Sequence, residues 1–75
     1  MGLCDVKKNQ TVKILEFKDG MSGRELLMGM GLLPGDCITV IGTSFLGSPI
    51  TILKGEDQLL ALRKSEAKHI ITEVI

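Results

Sequence analysis

The stretch MSGRELLMGMGLLPG, residues 21–35, carries the marks of both ends of one short helix. Ser22 followed three residues later by Glu25 forms a capping box, in which each side chain accepts from a backbone N–H at the helix start. Met21 before the cap and Leu26 after it close a hydrophobic staple. At the far end Gly31 takes the left-handed conformation that ends a helix, Leu32 folds back on Leu27, and Pro34 prevents resumption. The helix so bounded runs about two turns. At about 3.6 residues per turn, Gly23, Leu26, Leu27 and Met30 share one face, with Arg24, Glu25 and Met28 roughly opposite. The first face belongs to the core and Met28 looks outward.

Outside this helix the chain reads as short strands. In residues 10–17 Val12 and Ile14 alternate with Thr11 and Lys13, after which Leu15 and Phe17 carry the apolar phase; such a slip inside a strand marks a bulge or bend. Lys18, Asp19 and Gly20 turn the chain into the helix, and residues 33–36 form a turn with Pro34 in its second position. Residues 37–41 and 50–53 are β-branched runs in which Ile38 and Val40, then Ile50 and Ile52, point to one side. Residues 42–49 join them as a hairpin with a wide loop. A turn at residues 55–57, a strand at 58–62, one helical turn at 63–68 and a last strand at 70–74 complete the chain. Five short strands with one early helix and no βαβ spacing point to a mainly β fold, an antiparallel sheet closed into a small barrel. Closure removes edges that so small a sheet cannot otherwise protect.

Composition narrows the function classes. Seventy-five residues suit one domain, residues 1–75, and a chain this short buries only about two thirds of its surface. Hydrophobic residues make up 44% and charged residues 24%, a globular balance far from that of disordered chains. Nine basic and nine acidic residues are spread along the chain, which argues against a nucleic-acid partner needing a concentrated positive surface. The longest uncharged run, residues 37–53, holds Thr, Ser, Gly and Pro and falls short of the ~20 apolar residues of a membrane span. The opening MGLCDVKKNQ shows no export signal, and Val6 stands where a myristoylation motif needs Ser or Thr. The expectation is a cytoplasmic protein.

No constellation for catalysis is present. Cys4 and Cys37 form no CxxC pair, and a single histidine, His69, cannot complete a Cys/His zinc site within one subunit. Cys37 opens a strand and reads as a small buried hydrophobe, Cys4 lies near a frayed terminus, and His69 is a solvated residue before the last strand. Cys4 and His69 are therefore candidates only for an adventitious metal or one shared between copies of the chain. Phosphate-binding glycine loops are absent, and Glu56 and Asp57 are accounted for by their turn. Met28 on the outer helix face has no partner in this reading, and adaptable binding surfaces use methionine. Phe45 and Leu46 place two large apolar residues at a loop tip, where they either plug a barrel end or form a contact surface.

Met30, Gly31, Leu32, Pro34 and Gly35, then Leu46, Gly47, Pro49 and Ile50, then Ala61, Leu62, Arg63, Lys64, Glu66 and Ala67 together resemble the ferrous iron transport protein A (FeoA) family over nearly the whole chain. The resemblance implies an SH3-like barrel without enzymatic activity or cofactor. It also implies a cytoplasmic protein that accompanies the GTPase-containing membrane iron transporter (FeoB) and acts by protein contact. Asn9, Phe45 and Ser48 depart from residues common in the family, and only Arg24 remains of a commonly paired arginine. On this reading Arg24, Met28, Phe45 and Leu46 form the docking face, apolar anchors beside one charged orienter. A neutral barrel with exposed apolar spots also suggests weak self-association. A second function class follows from the same barrel, which resembles the C-terminal domain of diphtheria-toxin-repressor-type metal regulators. An SH3-type proline-rich ligand needs an aromatic-lined groove, whereas the chain has no Trp, no Tyr and two Phe.

Overall fold

A computed structural model describes residues 1–18, 24–44 and 46–75. A single 3-10 turn at Leu3–Asp5 precedes strand β1, Thr11–Phe17. Helix α1, Arg24–Gly29, follows, then β2, Cys37–Thr43, and β3, Ile50–Lys54. Strand β4, Gln58–Leu62, helix α2, Lys64–Ala67, and β5, Ile70–Val74, close the order. All four strand pairings are antiparallel, in the order β4-β3-β2-β1-β5.

The bulge expected in β1 is present. Its ladder with β5 shifts between Ile14 and Glu16, so Val12, Ile14 and Phe17 are all buried while Leu15 turns out. Here the extra residue falls at Leu15, which restores the inward phase at Phe17. A second shift lies between Val40 and Gly42 on the β2–β3 ladder. Ile38, Val40, Ile50 and Ile52 fill the interior, as their alternation requires. Leu3, Val6, Leu27, Leu32, Leu62, Ala67 and Ile70 complete one core cluster. Extents of 26 × 25 × 21 Å show the sheet curled around this cluster rather than flat.

The expected ring of strands is not a continuous ladder, however: among the described residues β4 and β5 do not pair, and both remain edges. Instead the N-terminal segment lies along β5. Gly2 forms a bridge with Ile71, the Thr72 N–H donates to the Met1 carbonyl at 2.6 Å, and the buried Thr72 hydroxyl donates to it at 2.9 Å. The terminus is thus held against the sheet, not frayed.

Both turns after α1 match their residue types. Gly31, at φ 91°, ends the helix in a Schellman arrangement: its N–H donates to the Met28 carbonyl and that of Leu32 to the Leu27 carbonyl, both at 3.0 Å. The Asp36 N–H then donates back to Leu33 at 3.0 Å around Pro34 and Gly35, with Gly35 at φ 98°. Lys54 of β3 fastens this end, pairing with Asp36 at 3.2 Å and donating to the Gly31 carbonyl. Met21, Ser22 and Gly23, which carry the proposed cap and staple, lie outside the described residues.

Candidate docking site

Helix α1 has six residues and offers the interior a narrow stripe. Leu27 is fully buried and Met30 packs partly against the core, but Leu26, assigned to the same face, is 62% exposed. The correction has a geometric cause. Leu26 and Leu27 are about 100° apart around the axis, and a helix touching the core through Leu27 and Met30 alone leaves its neighbour on the rim. Met28 is 41% exposed, as its outward placement anticipates. Arg24, one turn before it and also exposed, lies on the same side of the helix.

Leu26 forms the outer wall of a groove of about 330 Å³, which runs between α1 and the segment where β4 becomes α2. Leu26, Leu27 and Met30 line one side and Ala61, Leu62, Arg63 and Glu66 the other. The far wall is ordered by its own hydrogen bonds. The Arg63 N–H donates to Glu66 Oε1 at 3.1 Å, fixing the start of α2, and Gln58 Nε2 donates to the Met30 carbonyl at 3.3 Å across the groove end. The lining is about evenly polar and apolar, and Arg63 and Glu66 beside Leu26, Leu27 and Met30 can seat an apolar side chain and orient it by charge.

The β2–β3 loop also reaches this segment. The Lys64 N–H donates to Ser48 Oγ at 3.2 Å, and the loop closes on itself through the Gly47 N–H to Ser44 at 2.9 Å. Leu46 at its tip is 83% exposed, so it does not plug the sheet. Phe45 lies outside the described residues. Arg24 and Met28 are therefore brought together on α1, whereas Leu46 belongs to the separate β2–β3 loop, which meets Lys64 through Ser48. Leu26 was the missed member. Its signal was the run of three apolar residues, Leu26 to Met28, too wide for so short a helix to bury.

Neither cysteine is placed as its local pattern suggested. Cys37 is exposed, because Ile38 and Val40 occupy the inward phase of β2 and leave Cys37 on the outer one. Cys4 is half-buried, its Sγ 3.7 Å from the Lys64 carbonyl. Burial pushes its thiol up, with the nearby Lys64 charge opposing. His69 is also half-buried rather than solvated, and its Nδ1 is enclosed with no hydrogen-bond partner among the described residues. No group of three or more His, Cys, Asp or Glu is arranged to hold a metal among the described residues. No helix among them is long and apolar enough to cross a membrane.

A curled five-stranded antiparallel sheet with one short helix, and a groove of mixed lining between that helix and the end of β4, defines a small SH3-like β domain. Its relatives agree. The FeoA domain family matches residues 1–74, and the chain belongs to that family, a family of small accessory domains of ferrous iron transport rather than a class of enzymes. A solution structure of a FeoA-like protein from Clostridium acetobutylicum is 35% identical, with TM-score 0.89, over 100% of this chain and 86% of that one. FeoA of Stenotrophomonas maltophilia, a prokaryotic SH3 domain protein complexed with zinc, is 21% identical, with TM-score 0.79, over 97% and 89% of the two chains. The manganese regulator SloR shares the fold at 17% identity and TM-score 0.84, covering 100% of this chain and 34% of the regulator. A comparison with curated proteins finds no match.

Proposed function

We propose that this chain is a cytoplasmic accessory protein of bacterial ferrous iron uptake that acts by docking on the GTPase-containing membrane iron transporter. The observation that carries the reading is the solvent-facing apolar surface of α1, Leu26 and Met28, beside a groove of mixed polar and apolar lining in a family linked to ferrous iron transport. Leu26 and Met28 act as anchors and Arg24 sets their orientation; Phe45 and Leu46 form a second contact on the neighbouring loop. The regulatory-domain alternative has a fold likeness to SloR in its support and nothing residue-specific.

The test is capture of the purified chain by the cytoplasmic portion of the transporter. Leu26→Asp with Met28→Asp is expected to weaken capture at least tenfold, an effect of about 1.4 kcal/mol or more, because a charge cannot be seated in an apolar pocket. Leu46→Asp should weaken it less. Undiminished capture by the Leu26, Met28 and Leu46 triple variant, its circular dichroism unchanged, removes this surface from the mechanism.

A further inference from the structure

The unpaired edge of β4 has an unusual sequence environment. Strand β4 pairs with β3 in an uninterrupted register from Ile50↔Leu62 to Lys54↔Gln58. Among the described residues no other backbone group hydrogen-bonds to it. Short as it is, it has no bulge, no proline and no charge within QLLAL. Leu59 in its middle is 62% exposed and Ala61 beside it is also exposed. The charges sit at the ends and are segregated by sign, with Glu56 and Asp57 before the strand and Arg63 and Lys64 after it, all four exposed.

From this we propose that β4 is a self-recognition edge, pairing antiparallel with β4 of a second copy about a two-fold axis through Leu60. The charge pattern selects both the occupant and the register. In an antiparallel pair the residues opposite one another must both point toward, or both away from, the partner backbone, so a two-fold axis passes through a residue and not between two. An axis through Leu60 sets Asp57, the last residue of the β3–β4 turn, opposite the second copy's Arg63, and brings the turn residue Glu56 to the same end as Lys64 at the start of α2, twice by symmetry. Shifting the axis to Leu59 places Asp57 against Ala61, and shifting it to Ala61 places it against Ser65; neither matches charges. Arg63 is still extended, at φ −71° and ψ 147°, so the strand direction continues far enough for the end pairs to meet. On the open face Leu59 then lies across from Ala61 of the other copy, covering the apolar pair that solvent now meets.

Five residues a side make a small interface, so association is weak, with a dissociation constant of about 0.1–1 mM at low ionic strength, and added salt weakens it further. Sedimentation equilibrium of the full chain reads it, and charge reversal isolates it. The variant Glu56→Lys with Asp57→Arg and the variant Arg63→Glu with Lys64→Glu should each be monomeric, since each sets like charges opposite one another. Mixed in equal amounts they should form a heterodimer at least as tight as the wild-type dimer, because both end pairs are complementary again. Circular dichroism confirms that each variant is folded. A third variant, Leu59→Lys, places a charge on the edge and should abolish association while leaving the fold unchanged. A wild-type chain that stays monomeric at millimolar concentration in low salt overturns the proposal. Dimerisation untouched by either charge reversal, or absent from the mixture, does so too.

Discussion

Strands β5 and β4 are the two edges of one sheet, yet among the described residues only β5 is closed over by its own chain. Along β5 the N-terminal segment supplies a bridge at Gly2, two hydrogen bonds from Thr72 to Met1, and Leu3, which enters the core completely. Along β4 the chain supplies a side-chain contact from Gln58, a groove and an exposed leucine. A domain of this size has a total stability of only about 4–11 kcal/mol, so a closed edge that also adds core is a large share of the whole. An edge left open adds little to folding, and there surface is free for recognition. The candidate docking site and the self-pairing strand both lie on the open side.

The comparison breaks most easily at Leu3. Leu3→Ala removes a fully buried side chain that links the closing segment to the core, and should cost about 2–5 kcal/mol by urea unfolding. Leu59→Ala on the open edge should fall within about 0.5 kcal/mol of wild type. Equal effects at the two positions would mean that the edges do not differ as the structure has them.

A smaller effect is expected at Gly31, which ends the helix beside the open edge. Gly31→Ala forces a side chain into a left-handed conformation at a cost of about 1–2 kcal/mol. Its Cβ would also meet Lys54 Nζ at 3.3 Å, disturbing the lysine that fastens this turn. Because the helix end opens locally, amide exchange at Leu32, whose N–H closes the turn, should rise more than at Thr72 on the covered edge. Uniform acceleration at both amides would show that helix end and covered edge open as one unit.

How much of this was legible in the sequence follows the range of the interactions. Gly31, the turn at Pro34, the bulge around Leu15 and the limits of β4 and β5 are written in neighbouring residues, and the structure has them. Closing of the β5 edge depends on Met1 meeting Thr72, 71 positions away, and no local pattern announces such a contact. The phase of Ile38 and Val40 alone puts Cys37 on the outer face, so alternation along β2 overrides the tendency of cysteine to be buried. At the candidate site Arg24 and Met28 were readable from helical spacing. The groove was not, since it arises where Ala61 to Glu66 come opposite Leu26, two segments with no sequence relation.

The finest probe of the comparison is the pair of thiols. Cys37 stands exposed at the start of β2, away from either edge, whereas Cys4 rides on the segment that covers β5 and is half-buried beside the Lys64 carbonyl. Burial raises the Cys4 thiol, so at pH 8 it holds less of the reactive thiolate, and access is reduced as well. Iodoacetamide should therefore alkylate Cys37 first and Cys4 several-fold more slowly, with the two rates converging in urea. The sign of the pH dependence follows from the same shift. A thiol raised in the folded state is already ionising in the unfolded chain, so the stability held by a neutral Cys4 is present at neutral pH and declines as pH rises past the ordinary cysteine range. Partial detachment of the N-terminal segment by Leu3→Ala should speed the Cys4 reaction and leave Cys37 unchanged, because only one of the two thiols reports on the covered edge. Should Cys4 react as fast as Cys37 in the wild-type chain, the covering segment is open in solution, and both sheet edges would then be available to partners.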